Sequence, residues 1–171
     1  TSAMVDISPY KHAGPGGSGA PDWVGVLPLP DPYRGLHRGP DTAQAYAQHF
    51  DEALEKLLAR GPEPAALFAE ALIVCGGQIV PPAGWLAAVY AKARAAGALC
   101  VADEIQVGFG RVGRHWWAFE DEGVVPDIVT LGKPMGNGHP IAAVVTTPAI
   151  AGAFDPHMEY FNTFGGNPVS C

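Results

Sequence analysis

The fold is decided by two stretches of the 171-residue sequence, Ala98-Leu99-Cys100-Val101-Ala102-Asp103-Glu104 and Asp127-Ile128-Val129-Thr130-Leu131-Gly132-Lys133. Each contains a short apolar run, which is typical of a strand buried on both faces of a parallel sheet. Each run then gives way to charged or flexible residues, Asp103 and Glu104 in the first stretch and Gly132 and Lys133 in the second. Because ligands bind beyond the carboxyl ends of the strands in such sheets, we expect a site where these two stretches end.

Strand and helix patterns alternate outward from these stretches. Residues 65–73 and 141–146 form two further apolar runs, and amphipathic helical spacing follows both Asp41 and Pro82. The alternation predicts an α/β fold with a mostly parallel sheet flanked by helices on both faces. Residues 8–40 are rich in proline and glycine, so we expect no regular structure there.

Composition and spacing exclude several classes of function. The net charge is −7 without a Lys/Arg cluster, which argues against nucleic acid as a partner. The apolar runs are too short for a membrane helix, and the first nine residues do not resemble a signal peptide. The three cysteines form no CxxC pair and the six histidines have no metal-ligand spacing. We therefore expect no metal site and a reducing, cytoplasmic compartment.

Lys133 differs in position from the other three lysines of the sequence. Lys56 and Lys92 lie on predicted helices and Lys11 lies in the segment rich in proline and glycine, whereas Lys133 directly follows an apolar strand. We expect little solvent at that strand end, and burial favours the neutral form of an amine, which is the nucleophilic one. The alternative is a loop lysine that follows a strand without a chemical role.

The carboxylates that follow the neighbouring strand are the second candidate feature. A buried Asp103 or Glu104 is costly unless the carboxylate is paired. Such an acid can keep the pyridine nitrogen of pyridoxal phosphate (PLP) protonated, which makes the cofactor ring an electron sink. A structural ion pair with Arg111 or Arg114 is the alternative.

Two further features lie close to these strand ends. Residues 108–113 match the pattern GxGxxG, but they do not follow their strand directly and no helix pattern begins at them. We therefore expect a glycine-rich turn near the site rather than a dinucleotide loop. His139 follows the lysine loop and is a candidate for contact with a substrate.

Three motifs resemble the signature of class III (ornithine-type) PLP-dependent aminotransferases. They are Ala-Asp-Glu-Ile-Gln-Val-Gly-Phe-Gly-Arg at 102–111, Pro-Asp-Ile-Val-Thr-Leu-Gly-Lys at 126–133 and Asn-Thr-Phe-Gly-Gly-Asn-Pro at 162–168. The resemblance implies the fold of the PLP-dependent transferases, fold-type I. It also implies that residues 1–171 are a single partial domain, the middle of the PLP-binding large domain, with the N-terminal part and the C-terminal small domain outside it.

The same resemblance implies roles toward the cofactor. Lys133 would form the Schiff base with PLP, and Asp103 would pair with the pyridine nitrogen. Ile105 would pack against the ring, and Gln106 would form a hydrogen bond with the 3-hydroxyl group. Thr163 would reach the cofactor phosphate of the neighbouring subunit, which requires a homodimer.

A finer resemblance is to the phospho-lyase branch of this class, the lyases of ethanolamine phosphate and phosphohydroxylysine. The motifs that carry it are at residues 6–11, 30–35, 75–82 and 132–140. Enzymes of this branch eliminate phosphate and ammonia from an amino-phosphate and leave an aldehyde. Phosphoethanolamine is therefore the expected kind of substrate.

Four residues are candidates for contact with that substrate. Glu70 stands where the class often has a Glu-Pro pair, although Ala71 replaces the proline here. Arg34, Lys11 and His12 are candidates for binding the phosphate group. Two alternatives to the phospho-lyase are an ordinary class III transaminase acting on an amine or ω-amino acid, and an inactive fragment that only folds or dimerises.

Overall fold

The computed structural model describes residues 2–155, 157, 162–163 and 165–171. The chain divides into two compact units. The first unit comprises Thr1–Leu67 and Leu72–Ala98, and the second comprises Phe68–Ala71 and Leu99–Cys171. That all 171 residues are part of one large domain stays a prediction.

The first unit contains four helices in its described part. They are α1 (Ser2–Ile7), α2 (Pro9–His12), α3 (Thr42–Ala59) and α4 (Trp85–Ala95). The predicted helix after Asp41 is α3, with Asp41 as its N-cap residue, and Gly97 follows the C-cap of α4 at φ 84°. The expectation that residues 8–40 lack regular structure is wrong for the one turn of α2. Proline is favoured in the first turn of a helix because its φ is already helical, and Pro9 begins this turn.

The core of the first unit lies between α3 and α4, which pack against each other. Each helix buries one apolar stripe, and the buried side chains are Tyr46, Ala47 and Phe50 on α3 and Trp85, Leu86, Val89, Tyr90 and Ala93 on α4. Burial of one large apolar side chain contributes about 1.5–3 kcal/mol. The helical spacing read from the sequence therefore matches the buried face of each helix.

The sheet has four strands, in the spatial order β1 (Ala66–Ala69), β2 (Leu99–Asp103), β3 (Ile128–Leu131) and β4 (Ala143–Thr146). The second unit holds β2, β3, β4 and the last two residues of β1. The central pair, β2 and β3, is parallel as predicted, whereas β4 runs antiparallel to β3. A parallel strand needs a crossover of a dozen or more residues, and the turn between β3 and β4 is shorter than that. The sheet is therefore mixed.

The strand predicted over residues 65–73 is shorter in the structure, because β1 ends at Ala69. Beyond it the chain turns back on itself, and the backbones of Ile73 and Ile79 form a bridge. Gly77 and Gln78 have positive φ values of 131° and 57° within this turn. Among the described helices, none combines the length and the apolar character that a membrane span requires.

Asp127 joins three strands through its backbone and its side chain. Its Oδ2 atom accepts a hydrogen bond from the Cys100 N–H at 2.7 Å, and its own N–H donates to the Cys100 carbonyl at 2.8 Å. The Thr146 hydroxyl donates to the Asp127 carbonyl oxygen at 2.8 Å. Asp127 therefore sets where β3 begins relative to β2 on one side and β4 on the other.

Replacing Asp127 with alanine is expected to lower the free energy of unfolding by about 1–3 kcal/mol, because the Cys100 N–H then loses its carboxylate acceptor. Urea denaturation of the chain measures this change. Asp127→Asn is the matched control, since its amide oxygen can still accept the bond, and it should keep most of the stability. Equal losses for the two variants would contradict the role given to this hydrogen bond.

Candidate active site

The parallel pairing of β2 with β3 brings four of the predicted site residues, Asp103, Ile105, Gln106 and Lys133, to one edge of the sheet. Asp103 stands opposite Thr130, and the Glu104 N–H donates to the Thr130 carbonyl at 3.0 Å, one residue beyond β2. Ile105 lies against the backbone of the neighbouring chain segment, since a Cβ atom on Gly132 would be 3.5 Å from Ile105 Cγ2. The segments that carry Asp103 and Lys133 therefore leave adjacent strands side by side.

A cavity of about 680 Å³ opens beside Lys133. Its polar lining side chains are Lys133, Gln106, Arg111, Asn137 and His139, and its apolar ones are Pro134, Pro140 and Ile141. No carboxylate is among the described residues that line it. The volume lies within the range of roughly 300–1,000 Å³ that is usual for small-molecule sites.

Lys133 has an uncommon backbone conformation, with φ 37° in the left-handed region. A residue other than glycine in that region costs about 1–3 kcal/mol, and such residues cluster at functional sites. Two successive turns follow: the Met135 N–H donates to the Gly132 carbonyl at 3.0 Å, and the His139 N–H donates to the Gly136 carbonyl at 2.9 Å. These turns connect Lys133 to His139, and both residues line the cavity.

The expectation that Lys133 is buried is wrong, because its side chain is exposed in this structure. β3 ends at Leu131, Gly132 follows it, and Lys133 begins a 3-10 turn (Lys133–Gly136). Lys133 therefore lies outside the sheet, and its side chain borders the open cavity. Burial therefore gives no reason to expect a nucleophilic amine at this position.

Asp103 is half-buried at the end of β2. Its Oδ1 atom accepts a hydrogen bond from the Ile105 N–H at 3.0 Å, which fixes the direction of the carboxylate through a local turn. In the described part of the chain it forms no ion pair with Arg111 or Arg114, and Arg114 lies instead 3.9 Å from Asp121. Gln106 lines the cavity beside Lys133, whereas Asp103 and Ile105 are not among the lining residues.

Glu104 is the fully buried acid of this region. Its Oε2 atom accepts the Ala118 N–H at 2.9 Å, and its Oε1 atom accepts the Phe119 N–H at 3.1 Å. Burial raises the pKa of Glu104 above its ordinary value of 4.5, the two N–H donors oppose this rise, and the nearby Asp103 charge adds to it. Glu104 therefore attaches the start of the 3-10 helix Ala118–Glu122 to the end of β2.

Residues 108–113 form a series of turns, as predicted, and not a dinucleotide loop. The Gly110 N–H donates to the Trp116 carbonyl at 2.9 Å, and the Phe109 and Trp117 rings meet edge to face at 5.1 Å. A Cβ atom on Gly108 would be 3.0 Å from the Trp117 ring, so this close crossing favours glycine. Arg111 lies in these turns and lines the cavity.

Arg111 lines the cavity, although the sequence suggests it only as an ion partner of Asp103 or Glu104. A signal for this place is its position at the end of the motif at 102–111, which begins beside the expected site. His139, a candidate for contact with a substrate, also lines the cavity beside Lys133.

The remaining predicted residues are not among those that line this cavity. Glu70 is half-buried just after β1, and Thr163 is exposed in a bend. Arg34, Lys11 and His12 belong to the first unit. Among the described residues, no group of three or more His, Cys, Asp or Glu side chains is arranged to hold a metal ion.

Each of the three first-unit candidates has its own local environment. Arg34 Nε lies 3.4 Å from Asp31 Oδ2, and the Arg34 backbone N–H, followed by that of Tyr33, lowers the pKa of Asp31 by donating to its carboxylate. Lys11 Nζ lies 5.2 Å from the centroid of the Tyr10 ring. The contact of these residues with a substrate phosphate stays a prediction.

His12 is buried, and its two ring nitrogens have no hydrogen-bond partner within the described part of the chain. Glycines surround its backbone closely, since a Cβ atom on Gly17 would be 2.3 Å from the His12 carbonyl oxygen. The closed packing around His12 differs from the open cavity beside Lys133.

Glu104→Gln tests how the buried acid contributes to stability. Because the pKa of Glu104 is raised by folding, its favourable contribution is fully present below the unfolded value and is lost as pH rises through the folded value. The free energy of unfolding of the unchanged chain should therefore fall with rising pH above about 4.5, relative to that of Glu104→Gln.

The measurement is chemical denaturation of both proteins across this pH range. Glutamine has one carbonyl oxygen and can accept only one of the two backbone N–H bonds, so the variant should also be less stable at the lower end of the range. Glu63→Gln, at an exposed position, is the control. Parallel curves for the unchanged chain and Glu104→Gln would show that the charge of Glu104 does not matter for folding.

The family model for aminotransferase class-III matches residues 10–171. An alanine–glyoxylate aminotransferase 2-like protein from Drosophila melanogaster is 55% identical over 175 residues, which cover 99% of this chain and 35% of that protein. An ethanolamine-phosphate phospho-lyase homolog from Caenorhabditis elegans is 44% identical over 99% of this chain and 39% of its own length.

A solved structure of a phospholyase from Arthrobacter in complex with phosphoethanolamine matches with a TM-score of 0.71 and 38% identity. The match covers 80% of this chain and 35% of that one, so the chain spans about a third of the length of its relatives. The predicted fold class, fold-type I of the PLP-dependent enzymes, is confirmed by this likeness, and PLP is the cofactor of the family. This chain belongs to the class-III aminotransferase family of PLP-dependent enzymes.

Proposed function

We propose that this chain is the lysine-bearing part of a PLP-dependent phospho-lyase, and that the whole protein releases phosphate and ammonia from an amino-phosphate such as phosphoethanolamine. The observation that carries the proposal is the cavity beside Lys133, whose polar lining consists of amine, guanidinium, imidazole and amide groups. Such a lining suits an anionic substrate. The names of the phospho-lyase relative and of the phospholyase complex with phosphoethanolamine support the same activity.

The residues at the ends of β2 and β3 fit the cofactor. Lys133 offers an amine and Gln106 an amide on the same cavity lining, and Asp103 offers a carboxylate at the end of the adjacent strand. We assign Lys133 to the cofactor aldehyde, Gln106 to its 3-hydroxyl group and Asp103 to its pyridine nitrogen, with Ile105 against the ring. When bound, PLP supplies an electron-withdrawing ring that stabilises negative charge on the substrate carbon bearing the nitrogen.

Lys133 also has a role in proton transfer under this proposal. As a free amine beside the cavity, its Nζ atom can take the proton from the substrate carbon that bears the nitrogen. Loss of that proton allows the C–O bond to the phosphate on the adjacent carbon to break. The overall reaction consumes one water molecule and converts an aminoalkyl phosphate into an aldehyde, ammonia and inorganic phosphate.

Asp103 is suited to its proposed role by a local hydrogen bond. Its Oδ1 atom is held by the Ile105 N–H, while no cationic side chain among the described residues neutralises the carboxylate. A half-buried carboxylate of fixed direction and uncompensated charge can stabilise a protonated ring nitrogen nearby. The same arrangement serves any reaction that uses the ring as an electron sink.

Transamination of an amine or ω-amino acid is the second candidate function. It uses the same lysine and the same acid, and the relative from Drosophila melanogaster carries an aminotransferase name at 55% identity. The two reactions differ in whether a keto-acid acceptor is needed. A transaminase requires the acceptor, whereas a phospho-lyase releases phosphate without it.

We further propose that the whole protein is a homodimer in the cytoplasm. Thr163 is exposed, as it must be to reach the cofactor phosphate of a neighbouring subunit. The exposed Cys75 and Cys171 and the buried Cys100 form no disulfide, which agrees with a reducing compartment.

Lys133→Ala in the full-length protein should lower phosphate release from phosphoethanolamine by at least about 10²–10⁴-fold, the contribution of a well-placed proton-transfer group. The assay measures inorganic phosphate in the presence of PLP, with and without a keto-acid acceptor. Lys56→Ala, on α3 of the first unit, is the matched control and should leave the rate unchanged.

Acceptor-independent phosphate release by the unchanged protein is the result expected for a lyase. Strict dependence on a keto acid, with amino transfer and no phosphate release, would overturn the phospho-lyase in favour of the transaminase. Full activity of Lys133→Ala would overturn the role of the lysine in either reaction.

A further inference from the structure

We infer that Arg111 and His139 bind the phosphate group of the substrate. This inference rests on the proposed phospho-lyase function. Both side chains line the cavity that Lys133 borders. Arg111 comes from the turns after β2, and His139 comes from the segment after Lys133. Two separate segments of the chain therefore contribute to the cavity lining.

Charge is the first reason for the assignment. Neither the Arg111 nor the His139 side chain has an acidic partner or a hydrogen bond among the described residues, and no carboxylate lines the cavity there. The chain as a whole carries a net charge of −7, whereas the charged side chains of this cavity are cationic. A guanidinium group binds two phosphate oxygens at once, and an imidazole adds a further donor.

The way in which both segments are held is the second reason. The turns that carry Arg111 are fixed by the Gly110–Trp116 hydrogen bond at 2.9 Å and by the Gly113 N–H, which donates to the Gly110 carbonyl at 3.1 Å. The segment before His139 is folded tightly, since a Cβ atom on Gly136 would be 2.7 Å from Ile141 Cγ2. Donors held by rigid turns lose little entropy when a ligand binds.

The cofactor also carries a phosphate, and the position of Gln106 favours the substrate as the source. In PLP the hydroxyl group and the phosphate-bearing arm flank the aldehyde on opposite sides. Gln106, which we assign to the hydroxyl, lines the same cavity as Arg111 and His139. With PLP held in this way, Arg111 and His139 would share the cavity with its hydroxyl side, which is away from the cofactor phosphate and close to where the substrate amine must bind.

The test uses the full-length enzyme and the variants Arg111→Gln, His139→Asn and their combination. Arg114→Gln and His115→Asn are the matched controls, because both residues are close in sequence, lie outside the cavity lining and contact Asp121. Three quantities are measured for each protein: the KM for phosphoethanolamine, the inhibition constant of inorganic phosphate, and the Kd for PLP from absorbance titration of the apoenzyme.

Each single cavity variant should raise the KM and the phosphate inhibition constant by about 10- to 100-fold, the effect of losing one charge-assisted hydrogen bond. The Kd for PLP should stay unchanged, and the control variants should match the unchanged enzyme in all three quantities. A weakened Kd for PLP with an unchanged KM would assign the two residues to the cofactor phosphate and overturn the inference.

An unchanged KM and an unchanged Kd would also overturn it. If the unchanged enzyme releases no phosphate, the proposed function itself fails. If the enzyme is active but the variants do not change the inhibition constant of phosphate, only this inference is refuted.

Folding of each variant is checked by circular dichroism. A further variant, Arg111→Lys, keeps the positive charge but cannot bind two phosphate oxygens in the way that a guanidinium group does. That variant should give an intermediate KM.

Discussion

The parallel hydrogen bonding between β2 and β3 is the constraint on which the candidate site depends. It sets Asp103 opposite Thr130, so the acid at the end of β2 and the lysine after β3 are carried by neighbouring strands. Asp127 fixes the start of β3 through both its backbone and its side chain. A shift of this register by one residue would reverse the face of every side chain along the strand.

Glu104 and the turns after it extend this constraint from the sheet to the cavity. Its buried carboxylate holds the Ala118 and Phe119 N–H groups, while the Phe109 and Trp117 rings pack edge to face within the intervening turns. Arg111 is carried by these turns. Glu104 therefore has a structural role although burial raises its pKa. Two backbone N–H groups donate to its carboxylate, and these hydrogen bonds connect the sheet to the loop that lines the cavity.

The sequence predicted α3, α4, the central parallel pair and the convergence of Gln106 with Lys133, because apolar periodicity and strand ends are local signals. It did not predict the direction of β4, which depends on the turn between β3 and β4, or the exposure of Lys133, which depends on a left-handed backbone. The place of Arg111 depends on the path of the turns after β2, set by contacts with Trp116 and Trp117. Such tertiary contacts leave no periodic pattern in a sequence.

The central claim is that Lys133 is the residue that binds the cofactor covalently. Borohydride reduction of the full-length protein with PLP, followed by peptide mass spectrometry, tests it most directly, because reduction makes the bond between the cofactor aldehyde and a lysine amine permanent. We predict a pyridoxyl group on the peptide that contains Lys133, and on no peptide containing Lys11, Lys56 or Lys92. A label on another lysine, or no label in protein that binds PLP, would contradict the account.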